Sequence, residues 1–155
     1  MIKLLRVDHR LLHGQVAFSW TNHVGADCIL VANDSVVNDN LRKTSIKLAK
    51  PSGTKLVIKS IKDSISAINS GVTDKYKLLI VVESIKDAAD LINGCGIKSL
   101  NLGGTKATEK TKNISKAVNV TEDEVVILKE LISKEVDVEI QMVPEDTAIK
   151  AEKVL

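Results

Sequence analysis

Six short apolar runs recur along the chain, each separated from the next by a stretch of helical or turn character. They are "IKLLRV" (2–7), "ADCILVAN" (26–33), "KLVIKS" (55–60), "KLLIVVES" (77–84), "IKSLNLG" (97–103) and "VDVEIQMV" (136–143). Few folds accept this alternation. Runs this short and rich in Val, Ile and Leu read as strands, and amphipathic segments between them read as the crossover helices of βαβ units. Two units are nearly one word: "KLVIKSIKDSISAINSG" (55–71) and "KLLIVVESIKDAADLINGC" (77–95) share a strand, a "SIKD" start, an amphipathic helix and a terminal glycine. Ser60 with Asp63, Ser84 with Asp87 and Thr121 with Glu124 each set a capping hydroxyl three residues before a carboxylate. Pro51 and Pro144 fall at element boundaries, and no linker or low-complexity stretch divides residues 1–155. The expected fold is α/β: a single domain built on an open, mostly parallel sheet of about six or seven strands with helices on both faces.

Composition removes several functions. A net charge of +2 is too near neutral for bulk attraction to nucleic acid, and Phe18, Trp20 and Tyr76 are too few to stack bases. The longest run of consecutive strongly apolar residues, "LLIVV" (78–82), is far short of the roughly 20 residues of a membrane span. "MIKLLRVD" lacks the apolar segment and cleavage site of a secretory signal. Cys28 and Cys95 stand apart without CxxC spacing and are expected to be reduced thiols. Together these features predict a cytoplasmic protein.

Chemistry concentrates in "DHRLLHGQV" (8–16). Ligands of open α/β sheets bind beyond the carboxyl ends of the strands, where helix N-termini point free N–H groups. The first strand is expected to end near Val7 and a helix to begin near Gly14, with Val16, Ala17, Trp20 and Val24 on its apolar face. His13 then stands at the mouth of the first βα loop. The helix dipole and unpaired N–H groups favour an anion there, Arg6 and Arg10 offer guanidinium forks, and Gly14 removes an obstructing Cβ. Neighbouring cations favour the uncharged imidazole, a competent nucleophile towards phosphorus. Rival readings of the same residues remain: a solvated loop histidine, or a metal pair made by His9 and His13 on one helical face. The metal pair lacks further ligands, and His23 is expected at the far end of the first helix. No nucleotide-binding glycine motif is present, "NLGGTK" (101–106) being only a glycine turn, and no cofactor is expected.

The string "RVDHRLLHGQV" (6–16) resembles the signature R-[IV]-D-x-R-L-[ILV]-H-G-Q-V of IIB subunits in the mannose family of sugar phosphotransferase systems. The likeness continues through "VANDSVVNDNLRKTSIKLAKPSGTKL", "NLGG", "KAVNVTEDEV" and "VEIQMVPED", in order along nearly the whole chain. This resemblance implies an antiparallel strand towards one sheet edge. It implies a protein-phosphohistidine–sugar phosphotransferase in which His13 takes a phosphoryl group, on Nδ1, from a IIA protein or domain. The group then passes to a sugar held by membrane IIC and IID subunits, so contact with the membrane is peripheral. By position, Arg6, Arg10 and Gly14 are assigned to phosphoryl binding, with Gln15 in support. Asp8 is expected to order the loop or orient an arginine, or else to serve as a turn residue. His9 occupies the motif's variable position.

Asn33 and Asp34 end the second strand, expected beside the first, so that Asp34 approaches the loop or caps a helix. Gly103 and Gly104 border the site or make a turn. Arg42, Lys43, Lys47 and Lys50 on the second helix either receive an acidic rim of IIA or form a solvated face. A rival of another class is a non-catalytic α/β module that binds a phosphometabolite. The sugar, the oligomeric state and any contribution from His9 stay open.

Overall fold

A computed structural model describes residues 1–155. Seven strands form one sheet in the order β3-β2-β4-β1-β5-β8-β9, and β6 and β7 form a separate hairpin. The six expected strands are all present: β1 (Ile2–Asp8), β2 (Cys28–Ala32), β3 (Lys55–Lys59), β4 (Leu78–Val82), β5 (Ser99–Gly104) and β8 (Asp137–Ile140). They run parallel, and the short β9 (Ile149–Lys150) closes one edge antiparallel to β8. The hairpin of β6 (Lys112–Ser115) and β7 (Val118–Val120) lies in a polar stretch whose pattern predicts no strand. No helix is long and apolar enough to cross a membrane.

Two apolar layers hold the sheet. On one face, β1 residues Leu5 and Val7 and β4 residues Leu78, Ile80 and Val82 pack with α3 (Ile61–Asn69), α4 (Ile85–Cys95) and α5 (Glu122–Ser133). On the other, Ile29, Val31, Leu79 and Val81 meet Ala17 and Trp20 of α1 (Gly14–Val24) and Ile46 of α2 (Asn40–Leu48). The strict alternation along β4 follows from a strand covered on both faces, where neighbouring side chains enter opposite layers. In the second of the similar units the shared glycine does not end its helix. Gly94 lies inside α4 against Ile65 of α3, where a Cβ would stand 3.0 Å from that side chain, and Gly96 makes the left-handed cap.

Strand order is where the fold departs from expectation. β2 pairs with β3 and β4, so β4 stands between it and β1. Asn33 and Asp34 therefore sit one strand further from the loop than expected. Asp34 caps a helix, but not the one that follows it: its Oδ1 accepts from Ile61 N–H at the start of α3, 2.9 Å away. The helix after β1 covers one face and the helix after β4 the other. That divergence opens a crevice at the carboxyl ends of β1 and β4.

Candidate functional site

The first βα loop is built around Asp8. This residue ends β1 and is 1% exposed. Oδ1 accepts from Arg10 N–H at 3.0 Å, and the Asp8 carbonyl accepts from Leu11 N–H at 2.8 Å, closing a tight turn. Leu11 adopts φ +59, a left-handed conformation unusual for leucine, with its side chain anchored in the core beside Leu12. His13 follows as the residue preceding α1, extended at φ −151 and ψ 136.

Asp8 Oδ2 lies 2.9 Å from His13 Nε2. Burial alone pushes the Asp8 carboxyl up. Hydrogen bonds from His13 and the Arg10 N–H, with the charge of Arg6, pull harder and hold it below the ordinary carboxylate value. An ionised carboxylate only accepts, so the ring carries its proton on Nε2 and leaves the lone pair on Nδ1. Nδ1 makes no hydrogen bond and keeps access to solvent. The charge nearest the ring is thus a carboxylate, not the guanidinium pair expected from the motif.

The N–H groups of residues 12–16 have no acceptor within the protein, and α1 has neither a side-chain cap nor an acid in its first turn. Gly14, φ +36, takes a backbone conformation that a side chain would strain. Gln15 is exposed in the same turn. Arg10, with a side chain 56% exposed, shares a hollow of about 510 Å³ with His13, Gly14 and Arg42.

Arg6 is placed differently from the expectation of direct phosphoryl binding. It is 3% exposed, and its Nη1 donates to Asn101 Oδ1 (2.6 Å) and the Gln141 carbonyl (3.1 Å). Nη2 donates to the Met142 carbonyl (2.9 Å) and Asp8 Oδ2 (3.3 Å), and the guanidinium lies 5.1 Å from the Trp20 ring centroid. These donors are occupied. The cause lies in strand alternation: Leu5 and Val7 face one layer, which turns Arg6 towards Trp20 in the other. Burial lowers the Arg6 pKa against the upward pull of Asp8. Gly103 acquires its reason here, since a Cβ at that position would overlap the Arg6 guanidinium. Gly104 meets the loop through its carbonyl, which accepts from His9 N–H at 3.0 Å.

His9 lies in the turn after β1 while His13 precedes α1, so the two do not stack on one helical face. His9 Nδ1 is buried without a partner, 4.0 Å from Asp8 Oδ1. His23 closes α1 with its ring edge-on to Trp20. Lys43 and Lys47 of α2 and Lys50 just beyond it line one hollow with Lys55. Arg42 points elsewhere, pairing with Glu83 at the end of β4 (3.1 Å). Nothing in local sequence pattern marks Glu83, Asn101 or the 141–142 carbonyls as parts of this region.

Comparison with known proteins decides the family. Residues 2–155 match the family model "PTS system sorbose subfamily IIB component". The chain belongs to this IIB family. It is 34% identical to a probable phosphotransferase enzyme IIB component of Streptococcus pyogenes, covering 96% of each chain. With the sorbose-specific EIIB component of Lacticaseibacillus casei it shares 33% identity over 94% of this chain and 90% of the relative. The crystal structure of the IIBSor domain of the sorbose permease from Klebsiella pneumoniae superposes with a TM-score of 0.93 at 26% identity, covering 99% of this chain and 94% of that one. This IIB chain is a component of a sugar phosphotransferase system, and its mostly parallel sheet with an antiparallel edge strand is the architecture of its solved relatives.

Proposed function

We propose that this IIB chain is a covalent phosphoryl carrier whose His13 Nδ1 is the acceptor atom. The observation that carries the reading is the Asp8 contact: with Nε2 committed to a buried carboxylate, the free lone pair is on the solvent-facing nitrogen. Nδ1 attacks the phosphorus of a phosphohistidine on IIA, the donor N–P bond breaks, and the donor ring recovers its lone pair. His13 then carries PO₃ on Nδ1 and a proton on Nε2, a cationic ring that Asp8 stabilises from behind. Arg10 and the unpaired N–H groups of α1 receive the phosphoryl oxygens. Arg6 serves as a positioning residue, fixing Asp8 rather than touching phosphate. In the second half-reaction a hexose hydroxyl on the IIC/IID membrane complex forms the O–P bond, Nδ1 leaves as a neutral ring, and the hydroxyl proton passes to water.

The chain works on the cytoplasmic face and meets the membrane only through those subunits. The cations of α2 and its C-terminal edge suit an acidic IIA rim. Incubation with phosphoenolpyruvate, enzyme I, HPr and a IIA protein, followed by intact mass, tests the reading. It predicts one acid-labile phosphoryl group on the wild type and none on His13→Ala; an unlabelled wild type overturns it.

A further inference from the structure

Arg42 occupies a junction that the carrier reaction as described leaves unused. It lies on α2, far from the Arg6–Arg10 motif in sequence, yet it lines the His13 hollow together with Arg10 and Gly14. It also lines the adjoining polar hollow of about 520 Å³, which contains His9, Glu83, Thr105 and Lys106. Its Nη2 donates to Glu83 Oε2 at 3.1 Å, and the same oxygen accepts from Asn33 Nδ2 at 3.3 Å. Asn33 is itself pinned, its Oδ1 accepting from Ser35 and Val36 N–H. Glu83 is therefore held by a fixed residue, whereas Arg42 is held chiefly by Glu83. Both members of the pair are 39% exposed, a setting in which an ion pair exchanges readily.

With the Nη donors of Arg6 consumed by Asn101, Asp8 and two carbonyls, the hollow needs a second guanidinium to balance a phosphoryl dianion beside Arg10. We infer that Arg42 is that group: it rests on Glu83 while His13 is bare and exchanges the carboxylate for the phosphoryl oxygens when Nδ1 is phosphorylated. Glu83 acts as a placeholder anion that keeps the guanidinium beside the hollow. The same guanidinium fork that donates to a carboxylate donates to phosphoryl oxygens, so the exchange pairs the new anion while Glu83 keeps its Asn33 donor and its access to solvent. No bond is made or broken in the exchange.

The inference rests on His13 as carrier, and its test separates the two. If wild-type protein gains no phosphoryl group from phospho-IIA, the carrier reading fails. If it is labelled, ³¹P NMR of the isolated phosphoprotein against pH reports the charge beside the phosphoryl group with no partner present. Arg42→Gln is expected to raise the apparent pKa of the phosphoryl group and to slow its arrival about tenfold or more. Arg42→Lys restores part of both. Glu83→Gln, which frees the arginine, is expected to lower that pKa and to be phosphorylated no more slowly than wild type. A ³¹P titration unmoved by Arg42→Gln overturns the inference, whatever happens to the rate, because a purely structural ion pair would leave the phosphoryl group untouched. Should Arg42→Gln not fold, Glu83→Gln decides alone, an unmoved titration again counting against it.

Discussion

The start of α1 and the starts of α3 and α4 are the same kind of junction, strand into helix at the carboxyl edge of one sheet, finished in opposite ways. Ser60 and Ser84 accept from the third N–H of their helices, and Asp63 and Asp87 place an acid in the first turn. At α1 the preceding residue is His13, which caps nothing with its side chain, and the first turn holds no acid. A side-chain cap contributes about 1 kcal/mol to a helix start. Leaving it out keeps several N–H donors and the positive end of the dipole free for an anion. On the proposed carrier reading, the contrast marks where lower local stability goes with chemistry.

The largest way to break the contrast is His13→Ala. Phosphoryl acceptance should vanish, while the thermal midpoint changes by no more than a few degrees, because the side chain is partly exposed and supports no helix. Retained labelling would mean that the open start of α1 serves something other than this histidine. Asp8→Asn comes next. The amide no longer fixes the Nε2 proton or stabilises the phosphorylated ring, and transfer should fall about 10²-fold or more.

It also strands the Arg6 charge, with side chains 3% and 2% exposed in that pair, at a cost of about 3–5 kcal/mol. Because the folded Asp8 carboxyl sits below its unfolded value, it adds stability above about pH 3.9. That stability is lost as pH falls from there through the folded value. Urea unfolding between about pH 2 and 6 should show a shallower acid slope for Asp8→Asn; equal slopes would mean that Asp8 is not held down.

Much of the fold is legible in the residues themselves. β1, β2, β4, β5 and β8 announce themselves because each carries apolar residues buried in the sheet, and the caps of α3, α4 and α5 because each is a local hydrogen bond three residues long. His13 and Arg10 lie close together in one short motif. Sheet order is not legible in this way, since crossover connections, not strand composition, put β4 between β2 and β1. Nor is the burial of Arg6, whose acceptors Asn101, Gln141 and Met142 lie 95 to 136 residues away. The hairpin of β6 and β7 leaves little mark in the pattern because its strands are only four and three residues long, with Ile114, Val118 and Val120 set among lysines and asparagines.

Gly103→Ala tests that long-range packing directly. The added methyl must displace the Arg6 guanidinium, and about 2–3 kcal/mol of stability should go with it. A denaturant midpoint within error of wild type would show that Arg6 has room to move. Ser84→Ala is milder, a loss of about 1 kcal/mol at α4 with phosphoryl acceptance unchanged.

The smallest effect sharpens the comparison most. Gln15→Glu gives α1 the first-turn acid that α3 and α4 already have, at an exposed position where the dipole rewards it by about 0.3–1 kcal/mol. Stability should therefore rise slightly. On the proposed reading the same charge faces the incoming phosphoryl group, and repulsion of that size should slow acceptance about twofold to fivefold. Gln15→Ala, which removes the amide without adding charge, should leave most of the rate intact and so separate loss of a side-chain contact from electrostatic repulsion. Rates measured at low and high salt add a second check, since the Gln15→Glu deficit should shrink as ions screen it. If the glutamate stabilises the helix and acceptance is not slowed, the open start of α1 has no part in holding phosphate.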